Sequence, residues 1–447
     1  MKIQPFNVIG VNKMSYKFRE NTDEKIYDCR ENCEMHLYRN VTEEDYKSYI
    51  EKLKKCNYIV LNENIFAGNF YTALKGEKEI SAYFTPCDAT LRVTVAVDGR
   101  FPDFDKKEIV KTNDPCFYVF ENDHTYIDCG MCLITQCSDG SFFVVDSGHY
   151  LQFNDNDRIY NFMRERTPEG KKVVVSGWLV THAHSDHISK LFDFIRYNRY
   201  DVEIEAIYSN LISNDYASDE WGVEEKGLAE KFFSLLERTT DIRKVKLHSG
   251  QRFYIRDLCF DVLCTHEDVY PQLVKEYNDS SLVVMMTVDN CKVFIPGDAS
   301  GLESKILVER FGENLECDVV QVSHHGHRGL LSDCYELLKG KLALFPITQI
   351  KFDEAMPKVP ANQVAIDLAD EYYVSSNGTV VVPLPYKKGT VTTLPDETFE
   401  DFGKIKRMWG YDYTDEYKKE MYDLYLKNGG KEESLYLPVR YSGTFEM

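Results

Sequence analysis

No run of the roughly 18 uncharged apolar residues that a membrane-spanning helix needs occurs in the 447-residue chain. The opening Met1-Lys2-Ile3-Gln4-Pro5 likewise lacks an apolar segment of signal-peptide length. The expected protein is soluble and cytoplasmic, with no membrane partner. Proline-, glutamine- and glycine/serine-rich tracts are also missing, and 43% hydrophobic with 28% charged residues is a globular composition that excludes long disorder. The 13 cysteines are odd in number and scattered, in a chain far larger than the secreted scaffolds that depend on disulfides. They are expected to be mostly reduced, buried, small apolar side chains. Positive charge is in short supply, 53 Lys and Arg against 73 Asp and Glu, for a formal charge of −20. Stable binding of duplex DNA needs a basic face and is not expected. A local positive pocket, or a metal that attracts a phosphate, remains compatible with that charge.

The chain is too long for one ordinary domain. Residues 1–110 read as a small α+β domain, with a polar helix from Thr42 to Lys55 followed by β-rich runs at Tyr58–Leu61, Asn69–Leu74, Ile80–Thr85 and Leu91–Val97. The turn formers and charges of Asp98-Gly99-Arg100-Phe101-Pro102-Asp103 mark its boundary. From 116 to 395, short apolar strands alternate with helical segments, which predicts a layered α/β architecture. Cys132–Thr135 and Ser141–Asp146 flank Ser138-Asp139-Gly140 as a hairpin, Asp155–Arg166 has helical spacing, and Lys172–Thr181 is a nearly continuous apolar strand. Further on come a helix at Trp221–Glu237, paired strands around Lys244–Leu247 and Arg252–Leu263, strands Ser281–Val288 and Lys292–Ile295, a helix near Leu302–Phe311 and strand Cys317–Val322. Two β-rich halves with outer helices fit a four-layer αββα sandwich. Residues 396–447 form a C-terminal extension, with a helix starting at Thr414 and stopping at Gly429-Gly430.

The strand ending at Thr181 runs straight into His182-Ala183-His184-Ser185-Asp186-His187. His182 and His184, two apart on extended backbone, point to one side, while Asp186 and His187 add an oxygen and a nitrogen after the turn. Four ligand-type side chains in six residues seldom arise from packing. Helical spacing of Ile188, Leu191, Phe192 and Ile195 follows, with Ser185 or Asp186 expected as its cap. Three later features converge on this motif. A buried strand ends in Gly297-Asp298. Another ends in Ser323-His324-His325-Gly326-His327, with His324 the preferred ligand and His325 its competitor. An earlier strand ends in Asp146, an acid that could hydrogen-bond a ligand imidazole and fix its tautomer. Cys129-Gly130-Met131-Cys132 has a zinc-like or redox spacing, but no second pair matches it.

These motifs, with Asn278-Asp279-Ser280-Ser281-Leu282-Val283 before the Gly-Asp strand, resemble the metal motifs of the metallo-β-lactamase superfamily. In style they are closest to the hydrolase domain of bacterial DNA-uptake (competence) proteins. The resemblance implies a metal-dependent hydrolase. His182 and His184 would hold a first metal, with His266 as its third ligand. Asp186, His187 and His324 would hold a second, and Asp298 would bridge the two. Asp146, His325, Ser323 and Asn278 would support the ligands or the substrate. This sequence has Val359-Pro360-Ala361-Asn362-Gln363 where that subgroup often has a late His-Pro, and the usual Gly-His-Thr is absent around His266.

Such a donor set favours Zn²⁺, as one or two ions, with Mn²⁺ or Fe²⁺ as alternatives. A zinc-bound water has its pKa lowered to about 7, which makes hydroxide the nucleophile, and Asp186 is expected to orient it and take its proton. A small-molecule or short phosphodiester is the preferred substrate class. A carboxylic ester, thioester or lactone is the alternative, and an inactive binding or scaffold protein is the reading of another class.

Overall fold

The computed structural model describes residues 24–97, 100–124, 127, 129–217, 223–274 and 276–395, and every structural statement here concerns those residues. Asp98, Gly99, Trp221 and the helix expected from Thr414 lie outside them. The chain divides into two compact units, Met1–Gly99 and Arg100–Met447.

In the first unit, strands β1 (Glu24–Asp28) and β2 (Cys33–Arg39) precede helix α1 (Glu43–Lys55). Four more follow: β3 (Ile59–Phe66), β4 (Asn69–Lys75), β5 (Glu79–Thr85) and β6 (Thr90–Ala96). The strands form one antiparallel sheet in the order β1-β2-β6-β5-β4-β3. Thr42 and Asp45 close a capping box at the start of α1. The helix then buries Tyr46, Tyr49, Ile50 and Leu53 against Leu74, Ile80, Phe84, Leu91 and Val93 of the sheet. The helix and the last four strands lie where alternation and turn residues predict them. β1 and β2 carry no such signal: Glu24 and Lys25 are exposed edge residues, and the turn between the strands uses left-handed Arg30, Glu31 and Asn32.

The second unit holds strands β7 (Cys116–Val119), β8 (Cys132–Gln136), β9 (Phe142–Asp146), β10 (Val173–Leu179), β11 (Val202–Ile204), β12 (Ala206–Ser209) and β13 (Arg243–Lys246). After these come β14 (Arg252–Ile255), β15 (Leu258–Cys264), β16 (Val283–Val288), β17 (Cys291–Ile295), β18 (Val319–Gln321), β19 (Leu342–Phe345), β20 (Glu371–Val374), β21 (Val380–Pro383) and β22 (Thr392–Thr393). One sheet has the order β13-β12-β10-β9-β8-β7-β21-β22, with β11 beside β10, and the other runs β14 to β20 in sequence order. The two sheets face each other across Phe143, Val145, Leu179 and Tyr208 on one side and Phe253, Phe260, Val284, Met286, Val293 and Val319 on the other.

Helices α2 (Asp155–Glu165), α3 (Ser185–Tyr197) and α4 (Val223–Arg238) pack together outside the first sheet. After the four-residue α5 (His266–Val269), helices α6 (Gly301–Phe311), α7 (Ser332–Leu338) and α9 (Pro360–Leu368), with α8 (Gln349–Ala355) between the last two in sequence, belong to the second half. The result is the expected αββα sandwich. The runs around Lys244–Leu247 and Arg252–Leu263, expected to pair, do not: β13 lies beside β12 in the first sheet, and Arg252–Leu263 is itself a hairpin of β14 and β15 in the second, with Arg256 left-handed at φ 56° in its turn.

Candidate metal centre

Strand direction decides where the motif residues meet. β9 and β10 are parallel in one sheet, and β17 and β18 are parallel in the other. The segments leaving their carboxyl ends carry Asp146, His182–His187, Asp298 and His324–His325, and these gather at one end of the sandwich. The sheets come close there: Gly297, at φ 57°, leaves so little room that a Cβ would lie 2.9 Å from Thr181 Cβ. Helix α3 does not begin as expected. His184, with extended φ −80° and ψ 153°, is its N-cap and makes no side-chain cap bond, while Ser185 and Asp186 are already helical. The Asp186 carboxylate is thereby left for the gathering point.

Ligand-type atoms of Asp186, His187, Asp298 and His325 all lie within 4.8 Å of one another. His187 Nε2 is 3.2 Å from Asp298 Oδ2 and 3.2 Å from His325 Nε2. His325 Nε2 is 3.3 Å from Asp186 Oδ2 and 3.5 Å from Asp298 Oδ2. The opposite ring nitrogens show what those Nε2 atoms are. His187 Nδ1 is 2.7 Å from Asp146 Oδ2, and Asp146 also accepts from Thr181 N at 2.9 Å and Thr181 Oγ1 at 2.7 Å. His325 Nδ1 is 2.7 Å from the carbonyl of Pro346, which can only accept. Both Nδ1 atoms therefore carry a proton, and the two Nε2 atoms face each other beside two carboxylates. Only a positive species between them, a proton or a cation, relieves that arrangement.

The protonation equilibria carry the same message. Burial alone would depress the His187 pKa, but Asp298, Asp186 and Asp146 hold it well above the ordinary imidazole value. Burial also works against charge on Asp186 and Asp298, yet the surrounding imidazoles hold both carboxyls well below the usual range. Asp298 Oδ1 is buried with no hydrogen-bond partner among the described residues. These donors fit a divalent cation.

A family model for the metallo-beta-lactamase superfamily matches residues 131–344, the segment that carries Asp146, Asp186, His187, Asp298 and His325. Residues 131–344 are a metallo-β-lactamase superfamily domain. The chain is similar in structure to the metallo-beta-lactamase fold protein YhfI from Bacillus subtilis, at 11% identity over 59% of this chain and 96% of that one, with a TM-score of 0.38. It is also similar to a putative metal-dependent hydrolase from Parabacteroides distasonis, at 12% identity over 68% and 97%, with a TM-score of 0.31. A third similar structure is CmlA, a diiron β-hydroxylase from Streptomyces venezuelae, at 16% identity over 74% and 54%, with a TM-score of 0.31. No curated protein matches the chain.

The remaining motif residues of the metallo-β-lactamase domain fall into two sets. His182 and His184 lie beside the compact group: His182 Nε2 is 3.2 Å from His184 Nδ1 and 3.9 Å from Asp298 Oδ2, and His182 Nδ1 is 3.0 Å from Thr181 Oγ1. His324, preferred from sequence, stands at the edge, with Nε2 3.9 Å from Asp298 Oδ2 and 3.3 Å from Asn278 Nδ2, while its competitor His325 sits inside the group. The choice turns on backbone torsions that sequence does not display, because both histidines are left-handed, at φ 50° and 54°.

His266 is not brought to the compact group. Its Nε2 is 2.9 Å from Asn210 Oδ1, and burial pushes its pKa down to about 3. Ser323 supports the loop, donating through Oγ to the Ala299 carbonyl at 2.5 Å. Thr181 and the Pro346 carbonyl are the contributors that sequence reasoning missed. A threonine at a strand end and a backbone oxygen carry no signal by residue type.

Proposed function

We propose that the protein is a metal-dependent hydrolase whose preferred substrates are small or short phosphodiesters. The observation that carries this reading is the facing pair of His187 and His325 Nε2 atoms, 3.2 Å apart, flanked by Asp186 and Asp298. Asp186, His187, Asp298 and His325 would hold one ion, and His182 and His184 with Asp298 would hold a second. The nitrogen and carboxylate donors favour Zn²⁺, with Mn²⁺ or Fe²⁺ as alternatives. When bound, the metal supplies Lewis acidity and lowers the pKa of water to about 7.

The side chains of Asp186 and His324 keep 15% and 13% exposure, against 2% or less for His182, His187, Asp298 and His325, so substrate approaches from their side. Asp186, the open carboxylate, orients the attacking water and takes its proton. On the same side, the Asn278 amide beside His324 offers N–H groups. Such donors suit the non-bridging oxygens of a phosphodiester. The likeness of Asn278–Val283 and His324–Gly326 to the hydrolase domain of DNA-uptake proteins supports the same class.

No helix among the described residues is long and apolar enough to cross a membrane. We place the protein in the cytoplasm because its cysteines are present as thiols. The test is hydrolysis of bis(p-nitrophenyl) phosphate by zinc- or manganese-loaded protein. Turnover is expected, and it should be abolished by chelator and reduced at least about a hundredfold in Asp186→Asn, as loss of a general base implies. Turnover that survives both would refute the reading, and metal-bound protein active only on carboxylic esters or lactones would replace its substrate class.

A further inference from the structure

We infer that the protein carries a second ligand site, for an aliphatic amine cation, at the end of the sandwich opposite the metal centre. A cavity of about 610 Å³ opens there, within the size range of small-molecule sites. Strand direction fixes its place. Asp139 stands in the turn before β9, Glu205 and Ala206 at the start of β12 and Arg243 at the start of β13, whereas the metal centre gathers at the carboxyl ends of β9 and β10. Arg256, in the turn after β14, comes from the second sheet, and residues 103–112 before β7 complete the wall.

Charge in this wall is unevenly paired. Arg256 lies between two acids, with Nε 2.7 Å from Asp139 Oδ2 and Nη2 2.5 Å from Glu205 Oε1. Asp103 takes both other cations, Arg243 at 3.1 Å and Lys107 at 2.8 Å. Asp105 and Glu108 are exposed and make no ion pair among the described residues. Five acids thus line the cavity against three bases that are already directed at carboxylates, a balance that favours a cation over an anion.

Tyr208 reaches the cavity from within the core. Its ring is 3% exposed and stacks on Phe253 with centres 5.5 Å apart, in space left by Gly177, where a Cβ would lie 2.7 Å from Tyr208 Cε2. The hydroxyl has no hydrogen-bond partner among the described residues and is not sealed in the core, so it faces the cavity that the residue lines. An ammonium N–H would satisfy that oxygen, and the carboxylates of Asp105 and Glu108 would balance its charge. Ala206, Ile255 and half-buried Ile109 suit the alkyl chain, and Val110, 81% exposed, extends the apolar surface at the rim.

The test is calorimetric titration of the full chain with spermidine at about 150 mM salt, where diffuse attraction to an acidic surface is screened. The uncharged chain 1,8-octanediol is the control. Wild type should bind one spermidine saturably. Tyr208→Phe, which keeps every charge, should weaken binding at least about tenfold, as loss of a hydrogen bond to a charged group implies. The double variant Asp105→Asn/Glu108→Gln, at exposed positions, should weaken it by a similar factor, and it decides alone if Tyr208→Phe does not fold. Unchanged affinity in either folded variant, absence of saturable binding, or 1,8-octanediol binding as tightly as spermidine would overturn the inference. None of these residues belongs to the metal centre, so the outcome is independent of the hydrolase reading.

Discussion

Asp146 shows how much of the site depends on one hydrogen bond. It is buried, left-handed at φ 57°, and receives His187 Nδ1–H together with two groups of Thr181. Asp146→Asn keeps a residue that tolerates this backbone, but it turns an amide N–H₂ toward Nδ1. The imidazole would then carry its proton on Nε2, pointing into the centre. Zinc affinity is expected to fall about 10- to 100-fold with little loss of fold, read by competition with a chromophoric chelator; unchanged affinity would mean that Asp146 does not set the tautomer. At this scale the sequence was informative where chemistry is carried by side chains at strand ends. Asp186, His187, Asp298 and Asp146 were all visible as such. His324 and His325 could not be told apart because their difference lies in backbone torsion. His266, expected from sequence as a ligand, stands apart from the compact group, and its partner Asn210 lies 56 residues away and leaves no local mark.

Elements position these residues, and their ends are where the energetics concentrate. Helix α6 follows Asp298 closely and is opened by a capping box between Ser300 and Glu303. Glu303 is wholly buried, and burial pushes its pKa up to about 8 from an ordinary 4.5. A raised carboxyl pKa gives stability that is fully present below the unfolded-state value and is lost as pH rises through the folded-state value. Thermal stability should therefore fall between pH 5 and 9, and Glu303→Gln should flatten that slope, with its Tm advantage over wild type growing toward pH 9. An equal Tm difference at both ends of that range would show that Glu303 is ionised throughout. Alternating apolar positions and turn residues made most strands of both units legible. The order of strands was not, because β21 pairs with β7 across more than 250 residues, and no periodicity encodes so distant a neighbour.

For the whole molecule, the formal charge of −20 bears on the proposed substrate class. On that reading, long duplex DNA would be repelled along its length, whereas a dinucleotide would present only local charge to the side of Asn278 and His324. Hydrolysis of a short phosphodiester should exceed that of duplex DNA at low ionic strength, and added salt should narrow the gap by screening the repulsion. A preference for duplex at low salt would contradict this account. The measurement that bears most directly on the central claim is anomalous diffraction at the zinc edge from crystals grown with zinc. A peak bounded by Asp186, His187, Asp298 and His325 is the predicted result. Well-ordered crystals in which these four side chains bond only to one another, with no zinc between them, would contradict it.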